Sequence, residues 1–186
     1  MDQESFQTAL LFAAQAHAGQ RRKGGQVPYI THVVGVAESL VYFYPGNTAL
    51  AVAGLLHDLV EDTAVTQDDL QARFGPAVTA LVMAVTKPDD DSLSFNEKRR
   101  ATLTALTPER PDVLRLKAAD ALSNLSAIRR DLLWTGERAW DKFKASKEES
   151  LQYYRDILTR VRQGLADEAL VVELERELEA VTSLSP

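Results

Sequence analysis

The stretch GLLHDLVEDT, residues 54–63, sets His57, Asp58, Glu61 and Asp62 among Leu55, Leu56, Leu59 and Val60. Apolar residues recur through it and upstream of it at three- and four-residue spacing, so TALAVAGLLHDLVED (48–62) reads as one long buried helix. At about 100° per residue, with His57 at 0°, Glu61 falls near 40°, Asp58 near 100° and Asp62 near 140°, which gathers the polar groups on one face. Carboxylates at helical spacing repel one another by a few tenths of a kcal/mol. A bound divalent cation offsets that cost. An imidazole and its neighbouring carboxylate suit such an ion, and carboxylates one turn further on can accept a proton from its water.

The remainder of the chain repeats the helical period. FQTALLFAAQAHAG (6–19) is a first helix closed by Gly19, and HVVGVAESLVYFY (32–44) ends before Pro45-Gly46. Thr66 with Asp69 and Ser94 with Glu97 have the spacing of capping boxes. Gly75-Pro76 divides one helical pattern in two, and DVLRLKAADALSNLSAIRRDLL (112–133) is another long helix. WTGERAWDKF is a connection, and two amphipathic helices close the chain. No segment shows clean two-residue alternation. The expected fold class is all-α, one domain over 1–186, a helical bundle of roughly eight or nine helices.

Bulk composition narrows the function. The chain has 186 residues, is 45% hydrophobic and 26% charged, and carries a net charge of −6. That acidic balance disfavours nucleic acid and anionic membrane as general partners. There is no cysteine, so thiolate zinc sites, iron–sulfur clusters and cysteine nucleophiles are excluded, and any metal sits on nitrogen and oxygen. No apolar run has the length of a membrane span, and ALLFAAQA is too short, and wrongly flanked, for a signal peptide. A cytoplasmic protein is expected.

The histidines are His17, His32 and His57. His32 follows a Gly/Pro loop at a helix start, a position that projects a side chain into a cleft. His17, on the polar side of the first helix, reads as a packing residue or a hydrogen-bond support near that loop. Asp120 lies mid-helix among Leu116, Ala119 and Leu122, which is costly unless it is paired or ligated. Asn124 follows one turn later, its amide suited to a substrate hydroxyl or phosphate. Arg22 and Lys23 before two glycines suit a phosphorylated ligand. Lys98 and Arg99 are further candidates to offset phosphate charge, with an ordinary solvated face as the alternative.

RRKGGQVPYITH (21–32), GLLHDLVEDT and LKAADALSNL (116–125), in that order, resemble the HD-domain hydrolases, and specifically the small, hydrolase-only RelA/SpoT-type alarmone hydrolases. FGPAVTALVMAVTK (74–87) also matches, and the resemblance covers about 6–165, leaving 166–186 as a closing helix. It implies one Mn²⁺ held by His32, His57, Asp58 and Asp120, with Glu61 and Asp62 as the catalytic acidic pair and Arg22, Lys23 and Asn124 touching substrate. The implied reaction removes the 3′-pyrophosphate of (p)ppGpp. The choice of manganese rests on the resemblance, because such a ligand set discriminates weakly among Mn²⁺, Fe²⁺ and Zn²⁺. Val33 replaces a proline usual in the family, and the small residues of ALSNL imply a roomier base pocket. Two alternatives are a related phosphohydrolase acting on another nucleotide, such as the 2′-phosphate of NADPH, and a non-enzymatic nucleotide sensor.

Overall fold

The structure is a computed structural model that describes residues 2–184. Its helices are α1 (Gln3–Ala16), α2 (Ile30–Phe43), α3 (Thr48–Leu56), the single turn α4 (Leu59–Asp62), α5 (Gln67–Val85), α6 (Phe95–Ala105), α7 (Pro111–Thr135), α8 (Lys147–Leu165) and α9 (Ala169–Ser183). A 3-10 turn, Gly136–Trp140, occupies part of the connection after α7. Among the described residues β-structure is limited to one isolated bridge, Arg21 to Pro28, so the all-α expectation holds.

Local chemistry sets the helix starts. The expected boxes form at Thr66/Asp69 and Ser94/Glu97, and a third forms at Ser146/Glu149. Asp2 accepts from the Glu4 amide and Asn47 from the Leu50 amide, each satisfying a donor that the first helical turn leaves free. Gly75 adopts φ 76°, which glycine takes without steric penalty, and kinks α5 where the sequence pattern breaks.

α7 is the central helix and packs on α2, α3, α5, α8 and α9. Leu114, Leu116 and Leu125 of α7 and Leu50, Leu55 and Leu56 of α3 are fully buried. Every residue of α3 from Leu50 to Leu56 is buried, so this helix is apolar all round, as a core helix must be. Here the expectation of one continuous helix over 48–62 is corrected. The regular helix is interrupted at His57–Asp58, where the backbone stays in the right-handed helical region but Asp58 drifts to φ −97° and ψ −2°, and resumes as α4. A cause is visible: His57 Nδ1 hydrogen-bonds the Gly54 carbonyl at 2.9 Å, the group an unbroken helix would give to the Asp58 amide. The angular spacing assumed for the four polar groups is therefore altered by a break that falls at His57 and Asp58 themselves.

Gly54 permits the close crossing of α2 and α3, since a Cβ there would lie 2.8 Å from Leu40 Cδ1 and 3.1 Å from Ala37 Cα. Gly54→Ala is expected to destabilise by about 1–3 kcal/mol through overpacking. For a chain of this size each kcal/mol lowers Tm by roughly 2–4 °C. Thermal unfolding followed by circular dichroism checks this, and an unchanged Tm would mean the crossing has slack.

Candidate active site

Three pieces of the fold converge: the first turn of α2 with His32, the α3–α4 junction with His57 and Asp58, and the middle of α7 with Asp120. His32 and His57 are each only 3% exposed. His32 Nε2 lies 3.3 Å from Asp58 Oδ2 and 3.4 Å from Asp120 Oδ1. His57 Nε2 lies 3.1 Å and 3.7 Å from the same two oxygens. The far ring nitrogens are occupied, His32 Nδ1 by Ser123 Oγ at 2.9 Å and His57 Nδ1 by the Gly54 carbonyl. Donation from Nδ1 leaves each Nε2 lone pair facing inward, the arrangement that orients imidazole ligands.

The residues fit a divalent cation. His57 Nε2 is buried without a well-aligned hydrogen-bond partner among the described residues. Ligand atoms of His32, His57 and Asp58 lie within 4.8 Å of one another. Two imidazoles and a carboxylate form a mixed nitrogen and oxygen donor set, and Asp120 Oδ1 lies beside both ring nitrogens. Without a cation, a proton takes its place: burial works against a charged His57 ring, but the Asp58 charge and the Asp120 and Asp58 carboxylates outweigh it and push its pKa up to about 10. Burial likewise opposes ionisation of both aspartates. It is overcome at Asp58 chiefly by His57 and at Asp120 chiefly by Lys117, so both stay well below the usual carboxylate range.

Supporting contacts surround the cluster. Lys117 Nζ donates to Asp120 Oδ2 at 2.8 Å, and Tyr29 Oη donates to Asp58 Oδ2 at 2.7 Å. Asn124 donates to Asp120 Oδ1 and accepts from Arg22 Nη2, both at 2.6 Å. Its amide thus links Arg22 to Asp120, where the sequence pointed it at substrate. His17 is buried, contrary to its expected polar setting, yet its role is of the kind expected. Its Nδ1 meets Gln20 Oε1 at 2.7 Å and its ring packs on Tyr29 with centroids 4.7 Å apart. Gln20 in turn donates to the Asp62 carbonyl at 2.7 Å, tying the end of α4 to the loop after α1.

Glu61 and Asp62 occupy the short α4 beside the cluster. The Asp62 carboxyl is raised above the usual range by burial and by the Asp58 charge. Glu61 is ion-paired with Lys87. The site opens into a cleft of about 620 Å³, a size common for small-ligand pockets. Its walls carry Arg22, Lys23, Arg99, Lys144, Phe143 and Tyr153. Arg99 stacks between the Phe95 and Tyr153 rings, its guanidinium 4.4 Å from each centroid. Lys98, the next position round α6, is not among the residues lining the cleft; adjacent helical residues point about 100° apart. Of the supporting residues, Lys117 was not assigned a role from the sequence, although its place one turn before Asp120 was a signal for it. Lys87, Ser123, Gln20 and Tyr29 had no local signal that assigned them a role.

Residues 9–148 match the family model described as HD domain, and the chain belongs to that family. Within it, the chain belongs with the proteins named MESH1. It is 38% identical over 157 residues to the human guanosine-3′,5′-bis(diphosphate) 3′-pyrophosphohydrolase MESH1, covering 83% of this chain and 80% of the human one. The Drosophila melanogaster protein of the same name is 36% identical over 147 residues, covering 77% and 81%. The solved structure of a metazoan ortholog of SpoT, described as hydrolysing ppGpp and acting in starvation responses, superposes with a TM-score of 0.77 at 29% identity over 96% of each chain.

Proposed function

We propose that this chain is a metal-dependent phosphohydrolase that removes the 3′-pyrophosphate of (p)ppGpp in the cytoplasm, giving GDP or GTP and pyrophosphate, with Mn²⁺ as its metal. One observation carries the reading: the inward-facing His32, His57, Asp58 and Asp120 at the base of a cleft whose walls are cationic although the whole chain is acidic. The names of the relatives support it.

A divalent cation held by those four residues supplies Lewis acidity, which acidifies water and offsets phosphate charge. The protein groups do the rest. Water oxygen bonds to the phosphorus attached to the ribose, the P–O3′ bond breaks, and its electron pair goes to the 3′-oxygen. The proton lost by water goes to the Glu61–Asp62 pair, and a proton returns to the 3′-oxygen, so that nucleotide and water become nucleotide diphosphate or triphosphate and pyrophosphate. Asp62, raised by burial and Asp58, is the carboxyl of the pair better matched to holding that proton. Arg22 is held toward the cluster by Asn124. Lys23, whose pKa is lowered by burial and by the charge of Lys87, is a poorly solvated cation with much to gain from a phosphate partner.

Hydrolysis in ¹⁸O-labelled water tests the chemistry. The label is expected in pyrophosphate and absent from GDP; label in GDP would place the attack elsewhere. Metal uptake must also displace the His57 proton. The raised His57 pKa means that the protonated ring stabilises the metal-free fold fully below its unfolded value of about 6.5, and that this contribution disappears as pH rises through about 10. Metal affinity therefore runs the other way. It is expected to climb by about tenfold per pH unit between roughly pH 7 and pH 10, with about one proton released per ion. Calorimetric titration in buffers of different ionisation enthalpy measures both; a pH-independent affinity would contradict the assignment of His57.

A further inference from the structure

Lys87 follows the extended Thr86 cap of α5, where the chain turns toward the cleft. Its backbone amide donates to Glu61 Oε2 at 3.4 Å and its ammonium to Glu61 Oε1. The two side chains are partly open, 31% and 27% exposed. Other cations around the cluster have partners of their own: Lys117 on Asp120, Lys142 on Asp131 and Arg22 on Asn124. The Lys87 ammonium thus sits on one carboxylate of the pair assigned to proton transfer.

A diphosphoryl group carries more negative charge than one carboxylate and offers several acceptor oxygens, so it can compete for a lysine ammonium. Lys23 faces the same volume: after burial, the charge of Lys87 is the largest influence lowering its pKa. Resting on the reading of this cleft as a diphosphate-processing site, we propose that Lys87 binds the transferred diphosphoryl group, its ammonium passing from Glu61 to a phosphate oxygen, so that substrate arrival itself frees the Glu61 carboxylate. Lys87 is then both a substrate contact and the device that keeps Glu61 paired until substrate is present.

Inorganic pyrophosphate is the probe, titrated calorimetrically into the full chain in magnesium-containing buffer. Lys87→Met is expected to weaken binding by roughly tenfold or more, the effect of losing one charge-assisted contact, with Lys87→Arg recovering most of it. Glu61→Gln, which releases the ammonium in advance, is expected to bind pyrophosphate more tightly than wild type, and that gain should shrink in the Lys87→Met/Glu61→Gln double variant. Folded Lys87→Met protein with wild-type affinity would overturn the proposal and leave Lys87 a clamp on Glu61 alone. If Lys87→Met does not fold, Glu61→Gln decides: affinity at or below wild type overturns it. Absence of pyrophosphate binding by wild type overturns it together with the diphosphate reading of the cleft. Failure of the hydrolase reading shows separately, as absent nucleotide turnover with pyrophosphate binding intact.

Discussion

Asp58→Asn is expected to lower ppGpp hydrolysis by well over about 100-fold, because residues that merely support metal ligands are worth about 10–100-fold by themselves. The substitution keeps the side chain's volume and removes its charge. Asp58 Oδ2 is the oxygen that both imidazoles approach and that Tyr29 holds. An amide there is a poor partner for a hard cation. His57 loses the main charge sustaining its proton and can become neutral, so no unpaired buried cation is left behind. Asp120→Ala is the harsher variant. It strands the buried Lys117 ammonium, and breaking such a pair costs about 3–5 kcal/mol, so lost activity there would be mixed with lost fold. Turnover, bound metal and Tm measured on the same Asp58→Asn preparation separate these effects. Activity within tenfold of wild type would remove Asp58 from the metal site.

Glu61→Gln is expected to reduce kcat by about 10²–10⁴-fold, the usual weight of general acid–base catalysis, with KM unchanged or lowered. The glutamine keeps the side chain's size, loses the charge that holds Lys87, and cannot take a proton from water. Asp62→Asn should fall in the same range, because the pair shares one short turn beside Asp58. If the two act as one unit, the double variant is little worse than the worse single. Steady-state kinetics over pH 6–9 measures this. A rise in KM with kcat preserved would mean the pair binds substrate and does not move protons.

Residues that announce themselves by local cost were legible in the sequence. A carboxylate at Asp120 amid leucines, or His57-Asp58 within an apolar helical stretch, needs a partner, and the type of partner follows from the residue. Capping boxes are equally local, hence Thr66/Asp69 and Ser94/Glu97 were readable from three-residue spacing. The break between α3 and α4 was not, because periodicity runs straight through it. The deciding contact is a ring nitrogen on the Gly54 carbonyl, which no spacing rule encodes. Long-range pairings were hidden for another reason. Lys87 lies 26 positions from Glu61 and Arg22 lies 102 from Asn124, so tertiary packing alone brings them together. Lys98 and Arg99 could not be told apart until the rotation of α6 was known. Asn124 was read as a free amide because Arg22 was not yet known to face it.

The most direct measurement is ion-exchange chromatography of ppGpp after incubation with the purified chain and Mn²⁺, beside Asp58→Asn, a chelator-treated sample and a parallel reaction on NADPH. GDP and pyrophosphate are expected from wild type with metal and from no other sample containing ppGpp. Intact ppGpp in the presence of demonstrably bound metal would contradict it, and release of phosphate from NADPH in the same experiment would move the substrate to another phosphorylated nucleotide.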